Sequence, residues 1–168
     1  MKRRRVEPIV GEGILLRMLR EEDLPLTREW RNLPHIRTRF FHSDEVSEAQ
    51  HRNWYSRYLS RPQDYVFVIE ETSRLNRPVG QISLLEVDFP ASRAEVGHLM
   101  IGVPAARGRR LGTTVLQTVT DFGLFSWGLE EIHAYIKPDN LTISLITREV
   151  GFTVLGEDGG RIHIVRKR

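Results

Sequence analysis

Cysteine is missing from all 168 residues of the chain. That excludes disulfides, a thiolate nucleophile and cysteine-ligated zinc, and no metal is expected. No run approaches the roughly 20 consecutive apolar residues of a membrane span. The basic start, MKRRRVEP, lacks the apolar stretch of a secretory signal. Repeats, low-complexity tracts and linkers are also missing. The expectation is therefore one domain over residues 1–168, with a flexible basic tail at 1–8, in a reducing cytoplasm with no membrane partner. Aromatic residues are only 8%, and none interleaves with the basic clusters at Lys2–Arg5, Arg107–Arg110 and Arg166–Arg168. A net charge of +3 gathered in this way reads as solvated termini plus one local anion site. A nucleic-acid partner is not expected, because a stacking platform is lacking.

What is present is a globular composition, 40% hydrophobic and 28% charged, long enough to bury a core. Residues 14–19 read as a strand and 24–32 as a helix, with a further helical piece after Pro34. Ser47 and Gln50 form a capping-box signal for a helix ending near Leu59. The run YVFVIEE at 65–71, then 79–87 and 95–103, read as strands. Apolar spacing from Leu111 predicts a helix to about Trp127. A strand at 132–136, a helix near 141–149 ended by Gly151, and a closing hairpin follow. That order predicts an α/β domain of the α+β type, with a central mixed, largely antiparallel sheet flanked by helices.

The chemistry concentrates at RGRRLG, residues 107–112, between a strand and a helix. A helix N-terminus offers unpaired N–H groups and partial positive charge. Gly108 and Gly112 allow close backbone approach, Arg107, Arg109 and Arg110 add charge, and the hydroxyls of Thr113 and Thr114 add donors. A phosphate cradle and a merely basic turn both fit this stretch alone.

Taken with EVGHLMIG (95–102), IHAYIKPDN (132–140), VGF (150–152) and the opening LRMLREEDL (16–24), it resembles the GNAT superfamily of acetyl-CoA-dependent N-acetyltransferases. The resemblance implies acetyl-CoA as co-substrate. Its pyrophosphate would lie on the N–H groups of about 108–113, with Arg107, Gly108, Arg109, Arg110, Leu111, Gly112 and Thr113 around it. Its pantetheine arm would run beside Met100, Ile101 and Val103, splayed from 132–136, with Asn140 nearby. Two positions depart from the superfamily pattern. Arg110 stands where Q/R-x-x-G-x-G/A has its middle glycine, which is tolerable if residue 110 already lies in the first helical turn pointing outward. Thr147 stands where many members carry a tyrosine that protonates the leaving thiolate, and a threonine hydroxyl is a far poorer acid. Water or Tyr135 could serve instead.

An alkyl ammonium must lose a proton before it attacks a thioester, so the site needs a base and donors for the oxyanion. Glu95 is the first candidate and His98 the second. Strand alternation puts them on opposite faces unless a bulge intervenes. For the acceptor, WRNLPHI at 30–36 followed by a capped helix bearing His51 resembles N-acetyltransferases acting on nucleotide-linked 4-amino sugars. That likeness implies contacts from Trp30, Arg31, Asn32 and His51. Arginine suits a diphosphate. Trp54 and Tyr58 share the His51 face of the helix, which reads as core for those two. Ribosomal-protein N-terminal and aminoglycoside acetyltransferases share the opening motif and remain alternatives, as does a basic CoA-binding module without catalysis. Homodimers are frequent in the superfamily.

Overall fold

The computed structural model describes residues 2–168. The chain enters through β1 (Ile9–Gly11) and β2 (Ile14–Met18), then forms α1 (Leu24–Asn32), α2 (Pro34–Arg37) and α3 (Glu48–Ser60). A meander follows: β3 (Tyr65–Glu71), β4 (Arg77–Asp88) and β5 (Arg93–Ile101). Then come α4 (Leu111–Asp121), β6 (Glu131–Ile136), α5 (Leu141–Val150), β7 (Thr153–Asp158) and β8 (Arg161–Lys167). The strands form one sheet in the order β1-β2-β3-β4-β5-β6-β8-β7. Every neighbouring pair is antiparallel except β5–β6. The expected mixed, largely antiparallel sheet is therefore present. The sequence reading missed β1, which is too short to show a period. Apolar spacing predicts one helix from Leu111 to Trp127, whereas the last turn widens into a π-helical turn over Phe122–Ser126.

Local chemistry explains the element starts. Ser47 Oγ accepts from the Gln50 N–H at 3.2 Å, and Gln50 Oε1 accepts from the Ser47 N–H at 2.8 Å, closing the capping box of α3. Asn140 caps α5, its Oδ1 accepting from the Ile143 N–H at 3.2 Å. In the opening motif, buried Asp23 takes a fork of two 2.8 Å bonds from Arg17, whose Nε also reaches Glu70 at 2.6 Å. This bidentate pair ties the entry of α1 to β2 and β3.

Alternation along β3 sorts the core into two layers. Val66 and Val68 join Leu24 and Tyr58 of α1 and α3, whereas Phe67 and Ile69 join the cluster holding Val115 and Val119 of α4. Helices thus cover both faces. The basic residues near the start make contacts with the body of the domain. The Arg3 guanidinium donates to the Tyr58 and Arg61 carbonyls and lies on the Tyr58 ring, Arg4 lies 3.6 Å over Phe89, and Val6 is buried. Cation–π contacts and burial of one apolar side chain give the arm a seat that charge counting does not reveal. Met1 lies outside the described residues.

Candidate active site

The site follows from one irregularity in the sheet. β5 and β6 pair only over Arg93↔Glu131, Ala94↔Ile132 and Glu95↔His133, then separate. The rest of β5 therefore lacks hydrogen bonds from β6, and a cleft opens between the strands. Its cavity is about 1010 Å³, at the upper end for a small-molecule site and enough for two ligands. Met100, Ile101, Arg107, Gly108, Leu111, Gly112 and Asn140 line it on one side, and Arg31, Glu95, His98 and Tyr135 are also in its wall.

Glu95 and His98 share the cleft because β5 bulges. Gln81 pairs with Met100 but Ser83 with Gly97, so β5 carries one extra residue there. His98 takes the bulge conformation, at φ +57°. The alternation that separated the two residues in the sequence reading is thus broken between them. Burial, with Glu86 adding negative charge, pushes the Glu95 carboxyl above the ordinary carboxylate value. The His98 imidazole is open to the cleft yet crowded by protein elsewhere, and this crowding, with Arg31 nearby, holds its pKa below the usual histidine value. Phe40 stacks on it at 5.9 Å between centroids. Tyr135 stacks on His163 at 4.5 Å, with the Arg161 guanidinium 4.5 Å from its ring. Thr147 is buried and donates to the Ser144 carbonyl within its own helix at 3.1 Å. It is tied up rather than poised as an acid.

The 107–112 loop has the form of an anion cradle. Gly108, Arg109 and Arg110 are all left-handed, at φ +80°, +51° and +61°. Leu111 bonds back to Gly108 and Thr114 to Arg110. The N–H groups of Gly108, Arg109, Arg110, Gly112 and Thr113 find no acceptor among the described residues. Five free donors at a helix start fit a pyrophosphate. A Cβ on Gly108 would meet nothing within 4 Å, so glycine serves the backbone conformation there.

Four cofactor expectations change. Arg110 is the residue before the first helical turn, not within it, and its side chain pairs with Glu149 of α5. Thr113 Oγ1 donates to the same carboxylate at 3.2 Å. Arg109 is exposed outside the cavity wall, and Val103 is buried in the core. At 109, 110 and 113 the unpartnered groups are the backbone N–H donors, not the side chains. Arg110→Gly should therefore leave the acetyl-CoA KM within about threefold. Relief of a left-handed arginine, worth about 1 kcal/mol, offsets the loss of an exposed ion pair. Initial rates and a melting curve check this, and a tenfold rise in KM would put the Arg110 charge on CoA.

The acceptor residues also separate. Arg31 lines the cleft, lies 4.2 Å over the Phe40 ring and donates to the His42 carbonyl. Its Nη1 is buried with no partner. Asn32 instead grips Val46 through both amide ends, at 2.9 and 2.8 Å, and pins the 38–47 loop to α1. Trp30 is buried beneath Gly102, where a Cβ would come within 1.9 Å of its ring. Neither Trp30 nor Asn32 lines the cavity. His51 is buried, hydrogen-bonded to Thr27 Oγ1 at 2.9 Å and stacked on Trp54. Burial, reinforced by Arg28 and Arg31, lowers its pKa to about 4, so it is neutral at pH 7. Its hydrogen bond is spent inside the protein, although both it and half-exposed Trp54 line the cleft. Gln81 of β4 and Arg161 of β8 are also in the wall, and neither belongs to a motif of the sequence. Gln81 and Ser83 were detectable as polar residues at period two in an otherwise apolar strand.

A strand bulge, a strand splay and an amide cradle at the following helix together form a cleft suited to a group-transfer enzyme with a phosphate-bearing co-substrate. Residues 14–153 match the acetyltransferase (GNAT) domain family. The chain belongs to that family and is an acetyl-CoA-dependent N-acetyltransferase. It is 24% identical over 147 residues to the spermidine N(1)-acetyltransferase of Escherichia coli K12, covering 88% of this chain and 76% of the relative. Among solved structures it superposes on a Vibrio cholerae spermidine N-acetyltransferase in complex with CoA and spermine, with a TM-score of 0.79, 19% identity and coverage of 92% and 95%. It is similar also to FdhC, a nucleotide-linked sugar GNAT, with a TM-score of 0.78, 17% identity and coverage of 96% and 90%.

Proposed function

We propose that the acceptor is an anionic primary amine, a nucleotide-linked amino sugar, acetylated by direct attack in a ternary complex with acetyl-CoA. The observation that carries this reading is the charge of the cleft. Apart from Arg107 at the cradle, Arg31, Arg39, Arg57, Lys137 and Arg161 line it, against Asp44, Glu45 and Glu95. Such a wall attracts a diphosphate and repels a polycation such as spermidine. The unpaired Nη1 of Arg31 supports the same chemistry, because a buried guanidinium N–H without an acceptor is costly.

In the reaction the amine nitrogen bonds to the acetyl carbon, the carbon–sulfur bond breaks, and one amine proton must leave. Glu95 is the group that takes it. Its pKa, raised by burial and by the charge of Glu86, makes it a stronger base than an ordinary carboxylate. His98, neutral at pH 7, is the second candidate. Tyr135 is the hydroxyl in the cleft wall that could return a proton to the thiolate. The free N–H groups of the 108–113 cradle would hold the CoA pyrophosphate, with Arg107 and Asn140 beside it. We place the reaction in the cytoplasm, the ordinary compartment for a cysteine-free chain with this co-substrate.

The test is thiol release from acetyl-CoA with a uridine-diphosphate-linked 4-amino sugar, spermidine, an aminoglycoside and an N-terminal peptide. The expected result is turnover of the sugar and competition by uridine diphosphate alone. Preference for spermidine or the peptide, without any nucleotide effect, would replace this reading. Tight CoA binding with no turnover of any acceptor would leave a binding module. Arg31→Ala should raise the acceptor KM about tenfold, as loss of a charge-assisted contact does, with the acetyl-CoA KM unchanged. An unaltered acceptor KM would remove Arg31 from the acceptor site.

A further inference from the structure

Gln81 lies in the middle of β4, only 5% exposed, and its side chain is part of the cleft wall. The register places it on the acceptor-side face. Leu85 pairs with Glu95 and Ser83 with Gly97, so Gln81, two residues further along, shares their side of the sheet. Ser83 Oγ lies 3.5 Å from His98 Nδ1 on that face. Gln81 thus stands next to the bulge that carries His98, with Glu95 further along the same face, opposite Leu85. Its Oε1 is buried and has no hydrogen-bond partner in the protein.

The fold gives no reason for an amide here. The residue paired with Gln81 on β3 is Val68, fully buried in the apolar cluster with Leu19, Leu24 and Tyr58. A leucine at 81 would extend that cluster and remove an unsatisfied oxygen, so the amide lowers stability where it stands. Costly polar groups of this kind persist where a ligand supplies the missing partner. We propose that Gln81 is a specificity-determining residue whose amide hydrogen-bonds an uncharged hydroxyl or amide of the acceptor next to the attacking amine. The terminal torsion of glutamine is soft and roughly two-fold, so the amide can turn either its donor or its acceptor end to that group. A sugar carries such groups beside its amine, and a linear polyamine does not. The proposal rests on the amino-sugar reading and extends it.

The test uses Gln81→Leu and the nearly isosteric Gln81→Met in the full chain. With the uridine-diphosphate-linked 4-amino sugar, kcat/KM should fall about 10- to 100-fold in both variants, while the acetyl-CoA KM stays within about twofold. Rates with spermidine should be unaffected. Melting temperature without ligand should rise by about 2–6 °C, since an unsatisfied polar atom is removed from a chain of this size. Wild-type turnover of the sugar that both variants match would overturn the role of Gln81 and leave the acceptor reading intact. A wild type that ignores the sugar would overturn the acceptor reading, and Gln81 then answers to the melting curves. An unchanged or lowered melting temperature in both variants would mean that the amide is already satisfied, which removes the argument.

Discussion

Glu95→Gln is expected to lower kcat at pH 7 by about 100-fold, the usual contribution of a positioned general base, with little change in the affinity for acetyl-CoA. Glutamine keeps the shape and cannot accept the proton. In the wild type, turnover should climb with pH through the pKa of Glu95, which burial holds above the ordinary value of 4.5. The variant should lack that limb. Stability should move the other way. A carboxyl whose pKa is higher in the folded than in the unfolded state favours folding below its unfolded pKa and loses that contribution as pH rises through its folded pKa. At pH 7, above the unfolded value of 4.5, Glu95 therefore works against the fold, and Glu95→Gln should melt higher than the wild type. Near pH 4 the difference should vanish. Melting curves at the two pH values, beside a pH–rate profile, separate a base from a merely buried carboxylate. Unchanged turnover would pass the role to His98, whose bulge position puts it in the same cleft.

The largest expected loss of stability is from Gly80→Ala. A Cβ at this position would lie 2.1 Å from the Met100 carbonyl oxygen and 3.2 Å from the Ile101 Cα. Both are backbone atoms, so no side-chain rotation relieves the clash. Gly80 pairs with Ile101, and the neighbouring Gln81 pairs with Met100 at the bulge. Inserting a methyl group would push β4 and β5 apart beside the catalytic strand. The expected cost is about 3 kcal/mol or more, a fall in melting temperature of about 6–12 °C for a chain of this size. Activity at permissive temperature should fall with it, because the separation alters the bulge that carries His98. A melting temperature within about 2 °C of wild type would show that the strands give way without cost.

Element identity was largely legible because it is local. The capping box at Ser47 and Gln50, the β-branched run at 65–71 and the glycine stop at 151 each act within a few residues. The cradle was legible for the same reason, since glycines, a basic loop and a helix start lie within six residues. The acceptor side was not. Arg31, Asn32 and Trp30 are adjacent in sequence and alike in promise, yet one lines the cleft, one pins a loop and one fills the core. Helical rotation of about 100° per residue turns neighbours to different surroundings, and the sequence does not say what lies on each side.

By itself, then, the sequence determined the class of fold, which rests on short-range periodicity, and its short motifs carried the resemblance to an acetyl-transferring family. Tertiary structure alone decided which side chains meet. One extra residue in β5 brings Glu95 and His98 to a common face, Glu149 draws Arg110 away from the cradle, and the packing of β4 leaves Gln81 without a partner. Each outcome depends on contacts between segments distant in the chain, where strand register and helix docking, not local preference, set the direction of a side chain.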